Sequence, residues 1–369
     1  VLETLRVMRG ADGRWCDGEL PRPLAIGHLI TQRLARLSKP ALALARVAAV
    51  AAPDFSAALA EKALCQPAAA LADAWAELEA ADVLRGEGFA HDLVQDAVRN
   101  SVPEAIRRHL HRLVAAHLGA VNAEPARMAG HWWEGQCWPE AGRALHQAGV
   151  RSLMAGRVVE AVDQLWLASQ AWVQAGQPLA AAEVVVEAVL ATCNTQGPGP
   201  ALARLDELRD ALTAPACRQL WHAARTYAMV HGADLAGAAA EGAAAVAVRP
   251  QAQDPAVFEA GVALAFVQLS SGASADALCG IARLQAAAGW PDPPREHQWL
   301  RYWQAASSAH LFAHQLQAAA QAVHASLALA RRLGHRDDEI TGLLNLTSLS
   351  LRAGAMRSTL RHGRRLHAM

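Results

Sequence analysis

The sequence predicts a mainly α-helical protein, with a small winged-helix domain followed by a solenoid of helical hairpins repeating about every 40 residues. Three observations lead there. Alanine and leucine dominate a chain in which 53% of 369 residues are apolar and only 5% aromatic, and such composition favours helix over sheet. A single stretch, 82–92, carries β-hairpin chemistry, and it follows three or four helical segments. Helix-ending turns then recur at a fixed interval through the rest of the chain.

The elements follow in order. "VLETLRVMRG" (1–10) sets Val1, Leu2, Leu5 and Met8 at helical spacing, and "ADGRWCDGELPRP" (11–23) reads as a linker. The winged helix is therefore assigned to 21–122 and the repeats to 123–369, with a helix and linker in 1–20. Leu24, His28, Ile30, Leu34 and Leu37 mark a first helix; Ser38 caps a second, with Pro40 early in its first turn. A third helix restarts near Ser56 after Pro53, and a fourth runs from about Pro67 to Ala81. In "DVLRGEGFAHD", Gly86-Glu87-Gly88 separates two short apolar stretches, the signature of a two-stranded wing. "EAIRRHLHRLVAAHL" (104–118) is amphipathic.

Beyond residue 124 there are only helices. Gly232 to Gly272 spans 40 residues, Gly272 to His314 spans 42 and His314 to Gly354 spans 40, while Gly135, Gly156 and Gly176 mark turns half a period apart. That exceeds the ~34 residues of an ordinary tetratricopeptide repeat, but small-residue patterns such as "AGRVVEA" (155–161) are tetratricopeptide-like, so a long-helix variant is favoured. "CNTQGPGPALARL" (193–205) reads as the loosest connection.

Bulk properties narrow the function. A formal net charge of zero argues against a nucleic-acid or anionic-membrane surface over the whole chain. Six scattered cysteines without a CxxC read as reduced thiols of a cytoplasmic protein. The longest apolar runs are interrupted by Arg46, Glu183 and Glu187, so no membrane-spanning helix is expected. A start at Val1 reads as a piece of a longer protein.

The stretches "LITQRLARLSKPALALARVAAVAAPDF", "AWAELEAADVLRGEGFAHDLVQDAV" and "RRHLHRLVAAHL" resemble the region after the nucleotide-binding domain of bacterial STAND-type signalling ATPases, including large LuxR-type and antibiotic-biosynthesis regulators. "MAGHWWEGQCWPEAGRALHQAG" (128–149) looks like the start of their tetratricopeptide-like sensor. The resemblance covers about residues 1–175 and is generic beyond, and by it the helix and linker in 1–20 are the remnant of a preceding ATPase domain. It implies a switch in which ADP holds the parent ATPase closed, and in which an inducer or protein on the repeats, with ATP, opens it into an oligomer. This chain lacks the GxxxxGK[ST] phosphate loop, so it is expected to be no enzyme and to hold no cofactor by itself, with ADP and ATP belonging to the parent. The alternative is a free-standing tetratricopeptide scaffold for protein–protein interaction.

"FAHD" has the form of the "MHD" motif of related nucleotide switches. By that resemblance His91 is a candidate sensor of the ADP phosphate, an imidazole N–H at a helix start that favours anions; the plainer reading is a cap of the wing–helix junction packed on Phe89. Asp92 suits the first turn. His109 and His111 point to different faces, and His310 and His314 share a face without an acidic or cysteine partner, so no metal is expected. The third helix carries one lysine and one glutamate near "SAALAEKALC", poor equipment for DNA phosphates, which makes this winged helix a protein-contact module. Eleven tryptophans stand beside two tyrosines. Trp132, Trp133 and Trp138, with Trp290, Trp299 and Trp303 later, are either inter-helix packing or a ligand or peptide platform on the concave face.

Overall fold

The computed structural model describes residue 30 and residues 32–367. The assignment of residues 1–20, and the start of the first expected helix at Leu24 and His28, lie outside the described residues. The chain divides into two compact units, Val1–Cys137 and Trp138–Met369.

In the first unit, α1 (Lys39–Ala51) starts where the sequence places it. Ser38 Oγ accepts from Ala41 N at 3.3 Å, and Pro40 occupies the first turn, where no N–H is needed. α2 (Ala57–Leu64) is capped likewise by Ser56. A 3₁₀ turn leads into α3 (Ala72–Ala80), whose Glu77 accepts from the Ser38 backbone and hydroxyl. The one β-hairpin among the described residues follows. β1 (Leu84–Arg85) and β2 (Gly88–Phe89) pair antiparallel, with Leu84 opposite Phe89 and Gly86 at φ +60° in the turn. The hairpin tip is tied down by Trp75, whose indole N–H donates to Gly86 O at 3.2 Å while its ring stacks on Phe55. α4 (Asp92–Asn100), α5 (Glu104–Ala120) and α6 (Pro125–Glu134) complete the unit. Leu44, Leu59, Leu78, Leu84, Val94 and Val98 form its centre, all fully buried.

One polar cluster interrupts that core. His111 on α5 and His131 on α6 meet Nδ1 to Nδ1 at 2.9 Å, and His131 Nε2 lies 3.3 Å from Oδ2 of Asp54, whose other oxygen, Oδ1, pairs with Arg127. A carboxylate only accepts, so His131 Nε2 carries its proton. His131 Nδ1 is then an acceptor, and His111 Nδ1 donates to it. That leaves His111 Nε2 as a buried lone pair without a partner.

The second unit is six helical hairpins: α7 (Trp138–Met154) with α8 (Val158–Gln174), α9 (Pro178–Thr195) with α10 (Pro198–Glu207), α11 (Pro215–His231) with α12 (Leu235–Ala247), α13 (Pro255–Ser270) with α14 (Ser274–Leu284), α15 (Glu296–Phe312) with α16 (Leu316–Leu333), and α17 (Arg336–Arg352) with α18 (Met356–His367). First helices start at 138, 178, 215, 255, 296 and 336, so the repeat is 37–41 residues, as the turn spacing predicts. α9, α11, α13 and α15 pack side by side as one layer, each also against its own partner. α9 has the length and apolar content of a membrane-crossing segment. It is a core helix of the array, with Val185, Ala188 and Val189 fully buried.

Two local readings change. The segment 193–205 is no loose loop: α9 runs through Thr195 and α10 begins at Pro198, with only Gln196-Gly197 between. Prolines at 198 and 200 fall in the first turn, where a missing N–H costs nothing, and Gly197 at φ +89° makes the reversal. The turn markers also differ in chemistry. Gly272 and Gly354 are left-handed, but His314 (φ 60°) and Ala233 (φ 59°) hold that conformation in their own turns, without glycine.

Interior glycines serve a different purpose. A Cβ on Gly142 would meet the Trp172 ring at 2.8 Å, and one on Gly149 would meet Leu165 at 2.8 Å. The missing side chain is what lets α7 and α8 approach so closely.

Two outcomes follow from these contacts. Gly149→Ala lowers stability by about 1–3 kcal/mol through overpacking, and combining it with Leu165→Ala costs less than the sum of the two, because the clash disappears; denaturant titration of the three variants measures this. The second concerns acid. Burial first, then the neighbouring His131, Arg99 and Arg107, push His111 down to about 4, and His131 is lowered too, chiefly by burial. The unfolded chain therefore binds protons that the folded chain refuses. The stability is complete above the unfolded value near ~6.5 and is lost as pH falls towards 4. For His111 alone, titrations at pH 7 and pH 5 should differ by about 2 kcal/mol, a dependence that His111→Leu flattens.

Candidate ligand-binding cavity of the repeat array

One stripe of each first helix faces the inside of the array. On α7 the stripe is His146, Val150 and Leu153; on α9 it is Glu187, Leu190, Ala191 and Asn194; on α15 it is His297, Leu300, Arg301 and Gln304. These are steps of three and four residues, one side of a helix. With Tyr227 on α11, Phe266 on α13 and Thr341 on α17 they line a partly open cavity of about 590 Å³. The array curls on itself to do so: Met154, at the end of α7, lies against Gly334 in the α16–α17 turn.

The walls are apolar and the floor is charged. Glu187 projects from α9 between two imidazoles, with His146 Nε2 of α7 at 3.0 Å and His297 Nε2 of α15 at 3.6 Å. Burial acts to raise the Glu187 carboxyl, but the His146 hydrogen bond and the nearby His297 and Arg301 charges hold it well below the usual carboxylate range. Burial likewise acts to lower His146, and the bond to Glu187 with the charges of Glu187 and Glu183 raises it instead. His297 goes the other way: burial lowers it, Arg301 adds to that, and Glu187 only partly opposes them. The stable arrangement is thus an ionised Glu187 taking a strong bond from His146.

Beside it lies a second network. Arg301 grips Glu259 of α13 with Nε–Oε1 at 2.8 Å and Nη2–Oε2 at 2.7 Å, and Tyr227 donates its hydroxyl to Glu259 Oε1 at 2.8 Å. Glu259 is fully buried. Burial works against both charges, yet each keeps the other ionised: Arg301 is raised and Glu259 lowered. Tyr227 is pushed well above its ordinary value by burial and by the adjacent carboxylate.

The residues singled out from the sequence lie elsewhere. His91 is half-buried at the N-cap of α4 with extended backbone (φ −152°, ψ 139°). Its carbonyl accepts from Val94 and Gln95, but its side chain makes no capping hydrogen bond. Trp132 and Trp133 sit on α6 and Trp138 opens α7, all partly buried; among the described residues lining the cavity there is no tryptophan. Trp290, Trp299 and Trp303 pack around Phe258 and Tyr302, with Trp299 and Phe258 centroids 4.9 Å apart, which is inter-helix packing. His310 bonds Gln315 rather than His314, and the described residues contain no cluster able to hold a metal.

Sequence reading missed the cavity floor. Glu183 and Glu187 stood out only as breaks in an apolar run; a carboxylate among valines and alanines was the available signal, since a buried charge needs a partner. Its partners, on helices 41 or more residues away, could not be named from spacing.

No protein-family model and no curated protein matches this sequence. Among solved structures, the chain is similar to a Signal Transduction ATPase with Numerous Domains (STAND) protein with a tetratricopeptide repeat sensor from Pyrococcus horikoshii, with a TM-score of 0.58 and 11% identity. That match covers 92% of this chain and 52% of the neighbour, so the chain spans about half the neighbour's length. A Rap protein complexed with Competence and Sporulation Factor matches with a TM-score of 0.46 and 10% identity, over 93% of this chain and 97% of that one. At these identities the likeness to the STAND protein is one of fold: a mainly helical array of tetratricopeptide-like repeats.

Arg301→Met should be among the most destabilising changes in the array, at about 3–5 kcal/mol, because Glu259 is left buried without its cation. The pH dependence identifies the cause. Without Arg301, burial raises the Glu259 carboxyl above its unfolded value, so the variant gains stability as pH falls through mild acid. Thermal melts of Arg301→Met and of Arg301→Met/Glu259→Gln over pH 5–8 check this, since the second should show no such gain.

Proposed function

We propose that this chain is the regulatory arm of a bacterial STAND-type signalling ATPase that controls transcription, working in the cytoplasm. The repeat array is its sensor, and an inducer or partner bound there drives a nucleotide-dependent change of assembly. The observation that carries the reading is the cavity: first helices of successive hairpins line a concave, largely apolar space with a charged floor, as a receptor for a ligand requires. The resemblance of 1–175 to the region after such ATPase domains and the fold likeness to a STAND protein with a repeat sensor support it.

In this reading the helices and hairpin of the first unit are a winged helix used for protein contact. ATP is bound and hydrolysed by a domain outside this chain, which carries no GxxxxGK[ST] of its own, and DNA is contacted by a further module. His91 faces the ADP phosphate in the closed state. Its side chain is not spent on capping α4, which supports that role over the capping one.

By calorimetry, the chain alone should bind neither ADP nor ATP with micromolar affinity, whereas the parent should. In the parent, His91→Ala should speed ADP release about 10- to 150-fold, the loss of one charge-assisted hydrogen bond. The melting of this chain should be nearly unchanged by the same substitution. A lowered melting point with an unaltered off-rate would make His91 a structural residue.

A further inference from the structure

The ligand of the cavity can be narrowed by charge and size, a step that rests on the sensor reading above. Four carboxylates line the cavity, Glu187, Glu296, Asp337 and Asp338, against the guanidiniums of Arg301 and Arg336. Arg301 is already neutralised from behind by its two bonds to Glu259. Glu296 is reached by Arg332 at 2.6 Å, a pair exposed to solvent on both sides. Counting Glu259 and Arg332 with the lining groups, five carboxylates face three guanidiniums, and His146, raised by its bond to Glu187, offsets one more when protonated, so the excess is one to two negative charges. Glu187 stays ionised, held low by its neighbours despite burial. Low-dielectric walls concentrate such a field inside a concave site.

The size points to a small molecule. About 590 Å³ lies within the ~300–1,000 Å³ of small-molecule sites. The first hairpin meets the α16–α17 turn through Met154 and Gly334, which walls the space on that side, while it stays partly open to solvent elsewhere. Leu153, Leu190, Val230, Phe266, Leu300 and Leu333 supply apolar wall.

We propose that the cavity binds a small organic cation: an apolar body enclosed by these walls, with a protonated or quaternary amine towards the acidic mouth formed by Glu296 on α15 and Asp337 and Asp338 on α17. Anionic ligands are disfavoured by the charge, and a peptide of more than a few residues by the volume.

Three fluorescent probes of similar apolar character and different charge test this on the full chain: ethidium (cation), Nile red (neutral) and 8-anilinonaphthalene-1-sulfonate (anion). Ethidium should bind at least about tenfold more tightly than the sulfonate at low salt, and this margin should shrink as salt rises. Glu296→Gln/Asp337→Asn, both on exposed positions, should weaken ethidium roughly five- to tenfold and strengthen the sulfonate. Leu190→Trp, which fills the cavity, should weaken ethidium and Nile red by at least about tenfold. Leu167→Trp, on an outer position of α8 away from the lining, should change neither. Equal or tighter binding of the sulfonate, or an ethidium affinity indifferent to the two mouth substitutions, overturns the charge assignment. Ethidium binding that survives a folded Leu190→Trp places the dye elsewhere and overturns the site. If Leu190→Trp does not fold, the mouth variant decides alone. None of these outcomes bears on nucleotide control through His91.

Discussion

Glu187 is the residue on which the geometry of the array turns. A carboxylate removed from water is tolerated only when its charge is met, and on α9 nothing local meets it. Its partners come from α7, one hairpin back, and α15, three hairpins on. Satisfying one side chain therefore draws three hairpins to a common centre, and the curl of the array follows. Met154 against Gly334, and Arg295 of the α15 cap within 4.0 Å of Glu183, are further contacts of the same closure.

The apolar packing makes that closure feasible without dictating it. Ala- and Gly-rich interfaces such as Gly142 under Trp172 let helices lie close, and similar contacts recur at Gly242, Gly261 and Gly342. Repeats of this kind contact mainly their neighbours, so long-range order must come from unlike residues placed unevenly along the array. Glu187, Glu259 and Arg301 are such residues. Each stands in a helix otherwise dominated by apolar side chains or facing an apolar interior, and each finds its partner one or more hairpins away.

What was legible in the sequence divides along the same line. Local features could be read: the caps at Ser38 and Ser56, the hairpin around Gly86, and a repeat of about 40 residues marked by its turns. They depend on residues within a few positions of one another. Where local signals carried two meanings the reading slipped, as at Gly197-Pro198-Gly199-Pro200, where residues that break helices also begin them. His111 illustrates the limit from the other side. Its offset from His109 correctly put the two on different faces, but nothing on α5 indicates that His131, 20 residues on, completes a buried pair with Asp54 behind it. The cavity floor is less legible still, since it exists only once the hairpins are stacked.

The two buried networks also differ in what they can do. Arg301, Glu259 and Tyr227 satisfy one another with short bonds around the buried Glu259 carboxylate, an arrangement costly to break. Glu187 is held less evenly. One imidazole stands at 3.0 Å and is raised by the contact, the other at 3.6 Å and is lowered by its surroundings. The longer contact joins the second hairpin to the fifth across the cavity, and a ligand resting on the floor must lie against it. The floor of the cavity is thus held by a short bond on the α7 side and a longer one on the α15 side, beside a fully paired Arg301–Glu259 network.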